Sequence, residues 1–192
     1  MILSNTEIVK GLANGLFKIN GLPSLDPSSP PFNTSAVDLR LGSEIIIPTH
    51  GQTQIDLSAS ARGGIAVHWA NNSRRVTISE DQPYSLRANT FVLSNTLESV
   101  DFPINASTPC FAARVEGKSS LARCGLLVHF TAPTIHAGFA GSITLEIINL
   151  GPSPILLFPR MPICQLIIEQ VHGTPTAAPN QFHGQTHPAG VL

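Results

Sequence analysis

SITLEIINLGPSPILLFPRMPICQLIIEQ, residues 142–170, decides how this chain folds. Ile143, Leu145 and Ile147 alternate with Ser142, Thr144 and Glu146, the two-residue period of a strand with one buried face. Gly151, Pro152 and Pro154 break the run, Ile155–Phe158 resumes it, Pro159 and Pro162 break it again, and Cys164–Gln170 closes it. Three short apolar runs separated by Gly and Pro read as strands joined by turns. The same punctuation continues upstream, giving strand candidates at Val37–Leu41, Glu44–Pro48, Gly64–Trp69, Arg75–Ser79, Thr90–Leu97, Cys110–Val115 and Leu126–Phe130. The exception is the N-terminus. There Ser4-Asn5-Thr6-Glu7 forms a capping box and Ile8, Leu12 and Leu16 recur at helical spacing, predicting a helix over 5–17. Residues 21–35 are rich in Pro, Ser and Asn and read as a loop. Many short strands with one short N-terminal helix predict an all-β barrel or jelly-roll-like sandwich.

The 192 residues suit one domain, expected over 1–173, with a tail at 174–192. The tail is rich in Pro and Gly and poor in apolar residues, yet it carries Gln181, Phe182, His183, Gln185 and His187. A net charge of −1 supplies no footprint for a nucleic-acid polymer or an anionic membrane. Only 12% of residues are charged, which suggests a surface partly covered by other subunits. The three cysteines form no CxxC, so neither a disulfide framework nor a zinc site is expected. No apolar run is long enough for a membrane span and no signal-peptide pattern opens the chain, so the expectation is a soluble, cytoplasmic protein.

Gly117-Lys118-Ser119 imitates the end of a P-loop. That motif needs a glycine five residues earlier, where this chain has Ala112. A phosphate-cradling loop is therefore not expected, but a lysine, two serines and an arginine within six residues still need a purpose.

The purpose comes with a resemblance. SAVDLRLG (35–42), FVLSNTLESVDFP (91–103), EGKSSLARCGLLVHFTA (116–132), IHAGFAGSITLEIIN (135–149), FPRMPICQLIIE (158–169) and QFHGQ (181–185) match, in order, the motifs of the dCTP deaminase branch of the dCTP deaminase and dUTPase superfamily, while 43–90 matches weakly. The resemblance implies a distorted β-barrel of the dUTPase type, assembled as a homotrimer with active sites between subunits. It implies hydrolytic deamination of dCTP to dUTP and ammonia, with Mg²⁺ carried by the triphosphate. The H-x-E and P-C-x-x-C signature of zinc deaminases is absent, so no zinc is expected.

On this reading Glu146 is the general base and acid, its apolar neighbours disfavouring the charged form so that it can pass protons both ways. The resemblance places the hydrolytic water on Ser119 and on the carbonyl of Ala132, with Arg123 stabilising developing charge. Lys118 and Ser120 are the phosphate candidates, and Asp38 is expected to contact the waters of magnesium. The nucleotide is further expected to meet His136, Phe139, Thr144 and Leu145, and Phe182 and Gln185 as the tail closes.

Four residues depart from the family pattern. His136 stands where Asp is usual, keeping a ring acceptor for the sugar hydroxyl but no permanent negative charge. Gln181-Phe182 replaces Lys-Tyr, and Arg160 replaces a turn glycine. The loss of the Asp weighs against the alternatives of a bifunctional deaminase–diphosphatase giving dUMP and of a dUTP diphosphatase. A catalytically silent nucleotide-binding homologue, or one acting on a modified cytosine nucleotide, is also compatible with these residues. His129, within an apolar run, is expected to be a satisfied core histidine.

Overall fold

In this computed structural model the described residues are 1–49, 64–178 and 184–188. In chain order the elements are α1 (Asn5–Ala13), β1 (Lys18–Asn20), β2 (Phe32–Asn33), β3 (Ala36–Arg40), β4 (Glu44–Pro48), α2 (Gly64–Asn71), β5 (Ser73–Thr77), β6 (Tyr84–Leu86), β7 (Phe91–Asp101), β8 (Phe111–Gly117), α3 (Ser119–Ala122), β9 (Leu126–Leu127), β10 (Thr134–Ile135), β11 (Ala140–Asn149), β12 (Ile155–Leu157) and β13 (Pro162–Gln170). One sheet runs β5-β4-β7-β11-β9 with β1 also on β7, a second runs β10-β8-β13-β3-β2, and β12 pairs with β6.

The alternation of residues 142–149 holds. Ile143, Leu145 and Ile147 enter the core at 3% exposure or less, joined there by Val92 and Val100 of β7 and by Leu166 and Ile168 of β13. Burying each such side chain contributes about 1.5–3 kcal/mol, so a register slip in β11 would forfeit several at once. The all-β expectation is met.

Three local expectations are corrected. Gly64–Trp69 lies in helix α2, not in a strand. An apolar run this short has no decisive period, and here His68 and Trp69 carbonyls close a helical end by accepting from the Asn72 N–H at 2.9 Å and from the Ser73 hydroxyl at 2.5 Å. Leu126–Phe130 is strand only at Leu126–Leu127, after which the chain leaves the sheet. The first helix stops at Ala13, where Asn14 caps it by donating its N–H to Lys10. Short strands such as Lys18–Asn20 and Tyr84–Leu86 carry too few residues for a period and exist through pairing with β7 and β12.

One irregularity fixes the site. Between the pairs Ser142↔Ser99 and Thr144↔Asn95, β7 carries more residues than β11 and bulges. The Thr96 hydroxyl spans the bulge, donating to the Glu98 carbonyl at 2.7 Å and accepting from the Ile143 N–H at 3.0 Å. Glu98 turns inward, 0% exposed, and Arg40 meets it through its backbone N–H at 2.8 Å and its Nε at 2.6 Å. This buried ion pair ties β3 of the second sheet to the strand that sets the register of β11.

Candidate active site

β9 pairs with β11 only at Ile148 and Asn149, and Val128 then accepts one further bond from the Glu146 N–H at 3.1 Å. Beyond Val128 the chain departs to β10, which belongs to the other sheet. The edge of β11 that β9 leaves is taken up by the tail. Gly184 N–H donates to Ala140 at 2.7 Å, Ser142 N–H donates to the Gln185 carbonyl at 3.0 Å, and the Gln185 side-chain amide donates to the Ser142 carbonyl at 2.9 Å. Gly141 permits this approach. Its φ is +143°, and a Cβ there would stand 2.7 Å from the Gln185 carbonyl oxygen. Gln185 is 6% exposed. Between the departing chain and the docked tail lies a cavity of about 490 Å³.

Glu146 stands on its wall. Leu145 and Ile147 face the core, so alternation puts Glu146 on the opposite face beside its partner Leu93. It is half-buried, and its Oε2 accepts a hydrogen bond from the Phe130 N–H at 3.2 Å. Ala132, His136, Phe139 and Thr144 line the same cavity. Leu145 does not, since its side chain is fully buried in the core. Phe182 falls outside the described residues.

The other expected residues gather elsewhere. Lys118 precedes the single turn of α3, and Ser119, Ser120 and Arg123 are exposed on it and line no part of the Glu146 cavity. Arg123 borders a separate recess with Gly125, Gly151 and Pro152. Lys118 forms an ion pair with Asp38, whose Oδ1 also accepts from Asn33 at 2.8 Å and Gln165 at 3.1 Å. One copy of the chain therefore holds two groups of site residues, one around Glu146 and one around Lys118 and Ser119.

The cavity contains residues that periodicity did not single out. Trp69, Phe91 and Phe130 line it, and so does His129. The expectation for His129 is corrected. Its Nδ1 is buried with no hydrogen-bond partner among the described residues, and its Nε2 lies 3.8 Å from Glu116. Only contacts across the fold reveal this, because the residue sits in an apolar run where a core position is the natural reading. At the tail, His187 Nδ1 lies 3.3 Å from Glu44, which Arg75 also approaches at 3.5 Å. Among the described residues no group of three or more His, Cys, Asp or Glu is placed to hold a metal ion, and no helix is long and apolar enough to cross a membrane.

A family profile described as dCTP deaminase-like matches residues 2–171. The "dCTP deaminase, dUMP-forming" of Dictyoglomus thermophilum is 34% identical over 195 residues, covering 98% of this chain and 92% of the relative. The "dCTP deaminase" of Thermomicrobium roseum is 31% identical over 195 residues, covering 98% and 91%. Among solved structures, the 2'-deoxycytidine 5'-triphosphate deaminase from Agrobacterium tumefaciens superposes with a TM-score of 0.62 at 21% identity, over 89% of this chain and 48% of that one, a likeness of fold.

Proposed function

Because the chain belongs to the dCTP deaminase-like family, we propose that it hydrolyses dCTP to dUTP and ammonia, with Glu146 as the proton-transferring carboxylate. The observation that carries this reading is a lone half-buried carboxylate on a cavity wall, held by the Phe130 N–H, with Ala132 lining the same space. A water oriented by the Ala132 carbonyl and the Ser119 hydroxyl adds to C4 of the cytosine while Glu146 takes its proton. Glu146 delivers that proton to N3, giving a tetrahedral centre that bears both the hydroxyl and the amine. It then takes the hydroxyl proton and gives a proton to the amine, ammonia departs, and the C4 carbonyl forms. Water and dCTP are consumed, and the enzyme returns to its starting state. Arg123, fully charged at neutral pH, offsets negative charge near the reacting centre.

Ser119 and Arg123 do not line the cavity of their own chain, so the reading requires α3 of a neighbouring copy, which a homotrimer with sites between subunits would supply. Lys118 and Ser120 of that segment take the phosphates, and the tail, residues 174–192, closes the site with Gln185 and Phe182. Magnesium carried by the triphosphate would neutralise part of its charge. Asp38 would meet the waters of that ion: its ion pair with Lys118 puts a single carboxylate beside the segment assigned to the phosphates. With this activity the protein acts in pyrimidine deoxyribonucleotide metabolism.

The test is ammonia release from dCTP and Mg²⁺, compared with a Glu146→Gln variant. General acid–base help of this kind supplies about 10²–10⁴ in rate, so the variant is expected to lose at least about 100-fold. Equal release by the two proteins overturns the assignment. A second reading, conversion through to dUMP, is favoured by the name of the Dictyoglomus relative. Chromatography of the nucleotide products separates the two, since only that reading yields pyrophosphate and dUMP.

A further inference from the structure

One wall of the Glu146 cavity has a chemistry that proton transfer does not use. Trp69 of α2, Phe91 of β7 and Phe130 from the segment after β9 stand in a row. Ring centroids are 6.1 Å apart for Trp69–Phe91 and 5.6 Å for Phe91–Phe130, with interplanar angles of 51° and 53°. All three line the cavity. Phe91 is paired with Ile148 and Leu93 with Glu146, so alternation puts the row and the carboxylate on one face of the sheet. The rings are not sealed away. Trp69 and Phe91 are half-buried and Phe130 is 46% exposed, whereas the core rings Phe17 and Phe102 are at 0%. A group of aromatic rings left partly exposed at a cavity, next to a single hydrogen-bonding carboxylate, suits a ligand with flat apolar faces and a polar edge.

We propose that Trp69, Phe91 and Phe130 form a stacking wall for the pyrimidine ring of the nucleotide, and that Trp69 is a base-binding residue of the site. This rests on the nucleotide substrate proposed above. Stacking takes the face of the base and leaves its edge to Glu146, which the Phe130 N–H holds in place. Every base offers such a face, so the wall supplies affinity for a base as such, while the edge groups choose among bases. The wall binds ground state and transition state alike, so its loss raises KM and leaves kcat nearly unchanged.

Trp69 is the only tryptophan of the chain, which gives a direct readout. The Glu146→Gln variant is titrated with dCTP and, separately, with sodium tripolyphosphate, following tryptophan emission and recording binding by calorimetry. A saturable change in emission with dCTP and none with tripolyphosphate is expected. In the active protein, Trp69→Ala and Phe130→Leu should each raise KM for dCTP about 10- to 100-fold with kcat within about threefold, and Trp69→Phe should recover most of the affinity. Phe130→Leu keeps the backbone N–H and apolar bulk, so it tests the ring even if Trp69→Ala does not fold. The wall is refuted if calorimetry records dCTP binding while emission is unmoved, if both ligands change emission equally, if Phe130→Leu keeps the wild-type KM, or if dCTP does not bind at all. The reaction fails separately. A wild-type protein whose emission responds to dCTP but which releases no ammonia keeps the wall and loses the deaminase, and ammonia release with an unmoved emission does the reverse.

Discussion

Arg40→Met should destabilise the protein by about 3–5 kcal/mol, because it leaves a fully buried carboxylate without its counter-charge. Glu98 is 0% exposed and accepts from Arg40 Nε at 2.6 Å and from the Arg40 N–H at 2.8 Å. Arg40 is itself partly exposed and also donates Nη2 to the Gly21 carbonyl at 2.6 Å. Methionine removes the charge and both side-chain bonds while keeping the apolar stem. The backbone N–H remains, but it cannot offset the desolvation of an ion. Glu98→Gln should cost less, about 1–2 kcal/mol, since the guanidinium it abandons still reaches solvent. Replacing both, Arg40→Met with Glu98→Leu, removes both charges and should cost less than the two single changes summed, with a coupling of about 0.5–3 kcal/mol. The assay is urea unfolding followed by circular dichroism at neutral pH and one fixed protein concentration, because assembly makes stability depend on concentration. With slopes of about 1–3 kcal/mol per molar, the Arg40→Met midpoint should fall by at least about 1 M. A loss below about 1 kcal/mol, or a double variant as unstable as the sum of the singles, would refute the claim that this pair ties the sheets together.

Other perturbations follow from local geometry. Gly125 has φ +90°, and a Cβ there would stand 2.2 Å from the backbone nitrogen of Gly151, so Gly125→Ala should cost more than about 2 kcal/mol in urea unfolding and disturb the adjacent Ser119–Arg123 turn; a change under 0.5 kcal/mol would contradict the packing. Arg160 sits at φ +64°, a conformation costing a non-glycine residue about 1–2 kcal/mol, so Arg160→Gly should stabilise the fold by about 0.5–1 kcal/mol after the extra chain entropy, and a lowered unfolding midpoint would refute this. Burial pushes the Cys164 thiol well above its usual range. The unfolded chain therefore loses that proton first as pH rises past about 8.5, and stability should fall there with a slope of up to about 1.4 kcal/mol per pH unit that Cys164→Ala reduces. In the folded protein a thiol reagent should label exposed Cys124 quickly and buried Cys110 and Cys164 only in denaturant; fast reaction of all three would deny the burial.

Glu44–Pro48 shows what local pattern can do, since its strand matches the expectation residue for residue. So does the run to Asn149, whose alternation alone sends Leu145 inward and Glu146 outward. In both, the two-residue period and the flanking turn residues act over a few positions, and the sequence contains that information in full. The order of the motifs likewise carried the family. Gly64–Trp69 shows the limit. Its apolar residues satisfy a strand or a helix equally, and only the surroundings of α2 choose. The site is further from reach. Whether Glu146 faces solvent or a cavity depends on where β9 leaves the sheet and where Gln185 docks. That Trp69, Phe91 and Phe130 form one wall, that Arg40 finds Glu98, and that Ser119 lies apart from Glu146 within a chain are likewise contacts between distant segments. Periodicity sets which face of an element is buried; which elements then meet is settled by the closing of the sheets around a shared core.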